Sequence, residues 1–269
     1  MTKTLLLTGS SSGIGRATAL FFAERDWRVV ATMRTPSRAD AALRRPGIEL
    51  LPLDVTDPAS IRAAVETTIS SFGRIDAVVN NAGYGLVGPF EATTPEQIQR
   101  QFRTNVFGLM DVTREVLPHL RANRSGVIVN VASVGGRITF PLYSAYHATK
   151  WAVEGFSEAL NFELESLGIR VKIVEPGPIK TDFYDRSMDV VSKEGLTAYD
   201  AFVARAMPSM MKSGASAPGP IAVAKVIYSA ATDGSSRIRY QANSASILAL
   251  RRILPDRLFM KVVKAAILR

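Results

Sequence analysis

The sequence predicts an α/β fold with a doubly wound parallel sheet of about seven strands and helices on both faces. Segments typical of strands and of helices alternate repeatedly along the 269 residues. The strand segments are apolar runs without polar alternation, which indicates strands that are covered on both faces of a parallel sheet. Right-handed crossovers between such strands produce a doubly wound sheet. A chain of this length is expected to form one domain, residues 1–269.

The first half of the chain supplies four of the expected strands and four helices. The strands are predicted at Thr4–Leu7, Arg28–Met33, Glu49–Leu53 and Ala77–Asn81, and the helices at Gly13–Arg25, Ala39–Arg45, Pro58–Phe72 and Pro95–Leu120. The last of these helices contains Pro118, near its end, where a proline costs least.

The second half continues the alternation as far as Pro176. Strands are predicted at Gly126–Ala132, Val171–Glu175 and Arg237–Gln241, and helices at Ser144–Leu167 and Pro220–Thr232. No linker rich in proline and glycine divides the chain into two domains.

Residues 177–216 break the regular pattern with glycines, short amphipathic pieces and four methionines: Met188, Met207, Met210 and Met211. The segment follows a strand end, where ligands of α/β proteins bind. We therefore expect a substrate lid, with an irregular surface excursion as the alternative.

The tail, residues 243–269, is predicted to form one or two amphipathic helices broken at Pro255. Its apolar residues recur at helical spacing, so we expect them to pack on the same domain or on a second subunit. Shallow contact with a membrane surface is the weaker alternative.

Composition excludes several kinds of site. The chain has no cysteine, which excludes disulfides, thiolate zinc sites and cysteine nucleophiles. Two histidines, His119 and His147, leave little room for a metal cluster or a Ser-His-Asp triad, so no metal is expected. The sequence predicts neither a secretory signal nor a membrane span, and we expect a cytoplasmic protein. The net charge of +9 is scattered along the helices, which favours a polyanionic cofactor over nucleic acid.

A glycine-rich turn follows the first predicted strand and opens the first helix. Glycines allow a sharp turn and the close approach of a pyrophosphate, while the helix start offers N–H groups to phosphates. The residues predicted to bind a dinucleotide here are Gly9, Ser11, Ser12, Gly13, Ile14 and Gly15. This is the pattern of a Rossmann-type fold. A serine-rich turn with a helix cap is the alternative.

The end of the second strand indicates which dinucleotide binds. An acidic residue there would bind the adenosine ribose and repel a 2′-phosphate. None occurs before Asp40, and Arg34 offers a cation to a 2′-phosphate. The sequence therefore favours NADP(H), with NAD(H) as the second option and a solvated arginine as the alternative interpretation.

Ser133, Tyr146 and Lys150 form the candidate catalytic group. Ser133 comes where a predicted strand ends, and Tyr146 and Lys150 lie four residues apart near the start of the next helix, on one face. A cation beside a phenol favours phenolate and lowers a pKa that is otherwise about 10. Tyr146 is therefore a candidate proton donor or acceptor, and Ser133 is placed to hold a substrate oxygen.

Together with Asn80-Asn81-Ala82-Gly83, Asn105 and Pro176-Gly177, these motifs resemble the short-chain dehydrogenase/reductase family of the single-domain kind. The match runs in order from about Thr4 to Thr181, and the 13-residue interval from Ser133 to Tyr146 agrees with it. The surrounding ATMR and YHATKWAVEGFSEAL are most similar to the 17β-hydroxysteroid-dehydrogenase-like and retinol-dehydrogenase-like branch.

The resemblance implies a role for each matching residue. Tyr146 would be the general acid or base, Lys150 would lower its pKa and bind the nicotinamide ribose, and Ser133 would orient the substrate oxygen. Asn105 would hold a water that joins Lys150 to solvent. Further cofactor contacts are implied for Asp54, Val55, Asn81, Gly83, Pro176, Gly177, Ile179 and Thr181. A homo-oligomer, dimer or tetramer, is also implied.

The sequence thus predicts an NADP(H)-preferring oxidoreductase that interconverts an alcohol and a ketone or aldehyde on an apolar substrate of steroid, retinoid, fatty or aromatic type. Two alternatives stay open. One is a cofactor-binding regulator without turnover, and the other is a dehydratase or epimerase on the same fold.

Overall fold

The computed structural model describes residues 2–181 and 187–268, and its centre is a parallel sheet of seven strands. The nine strands of the described chain are β1 Thr4–Leu7, β2 Arg28–Met33, β3 Ile48–Pro52, β4 Ala77–Asn80, β5 Gly85–Val87, β6 Gly126–Val131, β7 Ile169–Pro176, β8 Met188–Val190 and β9 Arg239–Ala242. The main sheet has the order β3-β2-β1-β4-β6-β7-β9, and all its neighbours are parallel. The predicted fold class is confirmed.

Helices cover both faces of this sheet. Those of the described chain are α1 Gly13–Ala23, α2 Pro58–Phe72, α3 Pro95–Phe102, α4 Gly108–Asn123, α5 Ser144–Leu164, α6 Asp200–Ala215, α7 Ile221–Thr232, α8 Ala245–Ile253 and α9 Asp256–Ile267. Successive residues of a strand face opposite sides. In β1, Leu5 and Leu7 accordingly pack in the core beneath α1 and α7, while Leu6 packs in the core beneath α2, α4 and α5.

For two segments of the first half, the prediction of a continuous α-helix was wrong. Residues 39–45, predicted as a short helix, follow one 3₁₀ turn and contain another, at Pro36–Arg38 and Ala41–Leu43. The helix predicted over Pro95–Leu120 is interrupted by a π-helical turn at Arg103–Phe107, between α3 and α4. Single π-turns within helices occur frequently at functional sites.

The prediction of short, irregular pieces for residues 177–216 was also wrong in part. The segment contains strand β8, which pairs with β5 in a separate two-stranded sheet, and the 16-residue helix α6. Residues 182–186 of the predicted lid lie outside the described residues.

The tail forms the two helices α8 and α9, which meet at Pro255 as predicted. Phe259, Val263 and Ile267 are buried, one turn apart, in a cluster with Ala206 and Met210 of α6. Arg269, the last residue of the predicted tail, lies outside the described residues. Across residues 2–181 and 187–268, no helix is both long and apolar enough to span a bilayer.

Candidate active site

A cavity of about 960 Å³ opens at the carboxyl ends of the central strands, where doubly wound proteins bind ligands. Every residue predicted for catalysis or cofactor binding lines this cavity, except Asn105. The topology explains this convergence, because the turns after β1, β4, β6 and β7 all end at the same edge of the sheet.

The glycine turn after β1 is shaped for close backbone approach. Gly9 has φ +69°, and a Cβ on it would come 2.8 Å from the Ala82 Cα. A Cβ on Gly15 would lie 2.1 Å from the Gly9 carbonyl oxygen. Asn81 holds the turn from the neighbouring strand, since its Nδ2 donates to the carbonyls of Thr8 at 3.1 Å and Gly9 at 3.0 Å.

This cradle fits a dinucleotide pyrophosphate. The first N–H groups of α1 have no intrahelical acceptor, and the Ser12 side chain makes no capping hydrogen bond to them. Those N–H donors and the positive end of the α1 dipole are therefore available to bind an anionic group that enters the cavity.

Arg34 lies exposed at the rim of the cavity, directly after β2. The nearest acidic residue after that strand, Asp40, forms an ion pair with Arg16 and accepts the Ala42 N–H. Asp40 does not line the cavity. Asp54 does line the cavity, and its carboxylate accepts hydrogen bonds from the N–H and the hydroxyl of Thr56.

Ser133 follows β6 and is half-buried at the cavity wall. Its Oγ accepts the Gly135 N–H at 3.0 Å and donates to the Pro176 carbonyl at 3.5 Å. The hydroxyl is therefore held between the β6 and β7 ends, beside the residues expected to flank the nicotinamide.

Lys150 is buried on α5, one turn after Tyr146. Its Nζ donates to the Val131 carbonyl at 2.9 Å and lies 5.8 Å from the centre of the Tyr146 ring. Burial lowers the pKa of Lys150 to about 8, and the charge of Glu154 opposes that shift. Lys150 is accordingly still mostly a cation at neutral pH, next to the phenol.

Behind Lys150, two buried glutamates pair with two arginines that are partly exposed, an arrangement that the sequence analysis did not identify. Glu154 is 4% exposed and Glu175 1% exposed. Arg239 Nε lies 3.1 Å from a Glu154 oxygen and 3.4 Å from a Glu175 oxygen, and Arg137 reaches Glu175 at 3.5 Å. Burial and the charge of Glu175 raise the pKa of Glu154 to about 7.

Asn105 lies in the π-turn, buried behind the cavity wall. Its Oδ1 accepts the Tyr84 N–H at 3.0 Å, and its Nδ2 donates to the Tyr84 carbonyl at 2.8 Å and to Thr149 Oγ1 at 3.2 Å. Thr149 in turn donates to the Tyr146 carbonyl at 2.7 Å. The amide thus joins the loop after β4 to the first turn of α5.

Gln101, which sequence reasoning missed, makes a parallel connection from α3. It accepts the Leu86 N–H and donates to the Tyr84 carbonyl, each at 2.6 Å. A buried glutamine in a helix gives no pattern by which it could be recognised beforehand.

The other end of the cavity is mostly apolar. Phe140, Tyr143, Met188, Met210 and Ile267 line it. The Tyr143 ring stacks on His147 at 5.5 Å and lies 5.6 Å from the Tyr146 ring. His147 also lines the cavity. Burial lowers its pKa to about 4, so its imidazole is neutral at physiological pH.

Charged and polar groups stand at the rim of this apolar end. Arg100 of α3 pairs with Asp189 of β8, and its Nε donates to the Tyr84 hydroxyl at 3.2 Å. Among the described residues, no group of three or more His, Cys, Asp or Glu side chains has the arrangement of a metal site.

Comparison with known proteins agrees with this geometry. A family model described as short chain dehydrogenase matches residues 3–190. An uncharacterised oxidoreductase of Schizosaccharomyces pombe is 40% identical over 230 residues, which are 85% of this chain and 96% of the relative. A 3-ketodihydrosphingosine reductase of Bacteroides thetaiotaomicron is 40% identical over 200 residues, 74% of this chain and 72% of that protein.

Solved structures show the same architecture. A short-chain dehydrogenase from Streptomyces avermitilis has a TM-score of 0.83 at 32% identity, covering 98% of this chain and 95% of its own. ElxO with NADP bound has a TM-score of 0.74 at 28% identity, covering 91% and 100%. A 3-ketoacyl-(acyl-carrier-protein) reductase from Brucella melitensis complexed with NADH has a TM-score of 0.75 at 28% identity, covering 89% and 96%.

Proposed function

Because the chain belongs to the short-chain dehydrogenase family and is an NAD(P)-dependent oxidoreductase, we propose that it interconverts a ketone or aldehyde and an alcohol on an apolar substrate, preferring NADP(H). The observation that carries this proposal is the meeting of Ser133, Tyr146 and Lys150 with the glycine turn in one cavity. A bound nicotinamide would supply hydride chemistry there.

The chain's own groups then have distinct tasks. Tyr146 gives a proton to the substrate oxygen during reduction and takes it back during oxidation. The Lys150 ammonium favours the phenolate form of Tyr146. Ser133 holds the same substrate oxygen and stabilises negative charge on it. Asn105 positions the backbone of the loop and of α5 behind these groups, where a water leading to solvent would bind.

Replacing Tyr146 with phenylalanine tests the proton transfer. We expect kcat to fall by about 10²- to 10⁴-fold, the usual contribution of a general acid, while the Kd for NADPH stays within a few-fold. Tyr143→Phe is the matched control, because its ring lies in the same cavity, and its kcat should change little. A Tyr146→Phe enzyme that keeps its turnover would contradict the assignment.

Arg34 supports the preference for NADP(H), since it is the cation at the cavity rim after β2 while the neighbouring Asp40 is paired elsewhere. Arg34→Asp should weaken NADPH binding about 10- to 100-fold, the worth of a hydrogen bond to a charged group, and leave NADH binding nearly unchanged. Arg38→Asp, a charge change outside the cavity, controls for general electrostatics. Equal affinity of the unmodified protein for both cofactors would refute this preference.

Apolar side chains at the far end of the cavity support an apolar substrate. Met188 and Met210 adapt their shape readily, and the related Bacteroides protein is named a 3-ketodihydrosphingosine reductase. A cofactor-coupled screen should therefore show higher kcat/KM for fatty, steroid-like, retinoid-like or aromatic carbonyls than for short polar ones. We further propose that the chain belongs to the 17β-hydroxysteroid-dehydrogenase-like or retinol-dehydrogenase-like branch, because its sequences ATMR and YHATKWAVEGFSEAL resemble that branch.

We also propose a cytoplasmic homo-oligomer, a dimer or tetramer. Trp151 and Phe162 are 48% and 78% exposed and, eleven residues apart, lie on one face of α5. Phe107, at the end of the π-turn that packs against α5, is 49% exposed. Large exposed aromatic side chains on one helix face are typical of an interface between subunits. Phe162→Glu should reduce the molecular mass measured by light scattering, and an unchanged mass would argue against this face.

A further inference from the structure

Helix α9 has an inner face that belongs to the cavity. Phe259, Val263 and Ile267 are buried against the α6 cluster, and Ala266 and Ile267 line the cavity wall. The last turn of α9 is therefore part of the site in which we propose that an apolar substrate binds.

The outer face of the same helix exposes apolar side chains. Leu258 and Val262, one helical turn apart, are 47% and 36% exposed. Ile253, at the end of α8, is 76% exposed. Leaving such side chains in water is unfavourable, by about 25 cal/mol per Å² of apolar surface. Leu258 and Val262 form an apolar strip on α9 that the described chain covers only in part.

A row of cations runs beside this apolar strip. Arg257, Lys261 and Lys264 are exposed at spacings of four and three residues, so they share one side of α9. Over residues 243–269 the sequence has six basic residues and one acidic residue, Asp256. Apolar side chains flanked by Lys and Arg on an amphipathic helix are the pattern of a helix that lies in a membrane interface.

We propose that this tail surface, formed by Ile253, Arg257, Leu258, Lys261, Val262 and Lys264, docks on an anionic lipid bilayer. The cations contact lipid headgroups while the apolar strip enters the outer part of the acyl layer. A second copy of the chain is a poorer partner, because a two-fold contact would bring the two cationic rows together. The benefit of docking rests on the proposed function, in which the substrate is apolar. Such a substrate would pass between the bilayer and the cavity, because the other face of α9 forms part of the cavity wall.

Co-sedimentation with vesicles tests the docking directly. We expect the full chain to bind phosphatidylcholine vesicles that contain phosphatidylserine, and to bind pure phosphatidylcholine vesicles much less. Lys261→Gln/Lys264→Gln should weaken partitioning about fivefold per charge removed. Leu258→Ser should weaken it by up to about tenfold, and this loss should persist at high salt.

Two control variants match these changes. Arg121→Gln/Lys225→Gln removes two exposed charges from α4 and α7. Ile221→Ser removes an apolar side chain whose exposure, 46%, equals that of Leu258 within one percentage point. Neither should alter vesicle binding by more than about twofold, because neither variant changes the tail surface and exposed charges far from the bilayer are screened.

Activity on a water-soluble carbonyl with NADPH is measured in parallel, so that failure of the proposed reaction is distinguishable from failure of docking. The tail variants should retain that activity and lose only vesicle binding. Equal binding of the parent to both vesicle types, or equal losses in tail and control variants, would overturn the proposal. So would dissociation of an oligomer by the tail variants, which would assign the surface to a second copy.

Discussion

Replacing Glu154 with glutamine should stabilise this protein at pH 8, although the change removes an ion pair. Glu154 is 4% exposed and shares Arg239 with a second buried carboxylate, Glu175. One oxygen of each carboxylate also has no hydrogen-bond partner among the described residues. The free-energy cost of burying two carboxylates next to each other is larger than the stabilisation that they gain from Arg239 and Arg137. Glutamine keeps the size of the side chain and removes its charge.

The expected gain in the free energy of unfolding follows from the raised pKa of Glu154. Burial shifts the pKa of Glu154 from 4.5 to about 7, and each pKa unit corresponds to about 1.36 kcal/mol. The folded protein thus holds this proton more tightly than the unfolded chain. The free energy of unfolding falls as pH rises from about 4.5 to about 7, by up to about 3 kcal/mol, and the full cost is present above pH 7. Because Lys150 loses the charge that offsets its own burial, we expect a net gain of about 2 kcal/mol.

Urea unfolding of the unmodified protein and of Glu154→Gln, between pH 4.5 and pH 8, measures this difference in the free energy of unfolding. The stability advantage of Glu154→Gln should grow with pH across that window, with m-values unchanged. Glu158→Gln is the control one turn further along α5, because Glu158 is half exposed and its hydrogen bond to Arg239 lowers its pKa. That variant should lose a little stability above pH 4.5. A Glu154→Gln protein that is less stable at pH 8, or whose advantage is independent of pH, would refute the reasoning.

Further predictions concern backbone contacts and the π-turn. Gly177→Ala should cost about 1–3 kcal/mol in urea unfolding, because its Cβ would lie 2.0 Å from the Asn243 carbonyl oxygen; Gly155→Ala, with open space around its Cβ, should instead stabilise α5 by about 0.5–1 kcal/mol. Asn105→Ala should lower kcat about tenfold or more while NADPH affinity stays within a few-fold, because it removes three hydrogen bonds behind the site, each worth about 1 kcal/mol. Equal stabilities of the two glycine variants, or wild-type kcat in Asn105→Ala, would contradict these expectations.

Features that depend on neighbouring residues in the chain could be predicted. The bounds of β1, β2 and α2 agree with those expected from the apolar runs and from Pro58. The glycine turn and the Tyr146–Lys150 spacing are local patterns as well, since both are confined to a single turn or a single helix face. Their convergence on one cavity then follows from the parallel order of the sheet.

Features that depend on contacts between segments far apart in the chain could not be predicted from the sequence. The π-turn at Arg103–Phe107 interrupts the predicted helix although it contains neither proline nor glycine. The side chains of Gln101 and Asn105 bind the backbone of Tyr84 and Leu86, 15 to 21 residues earlier. Likewise Glu154 and Glu175 are unremarkable in sequence, and only the packing of α5 against β7 and β9 makes them a buried acid pair.

The apolar end of the cavity illustrates the same distinction, and it explains why the substrate is harder to infer than the cofactor. Its wall combines Tyr143 before α5, Met188 of β8, Met210 of α6 and Ile267 of α9. Each comes from a different segment and contributes one side chain, so no spacing between them recurs. A cofactor site made by one turn constrains that turn's sequence, whereas a wall assembled from four segments requires only apolar volume at each position. Substitutions there that keep a similar apolar volume should therefore change substrate preference with little effect on the fold or on cofactor binding.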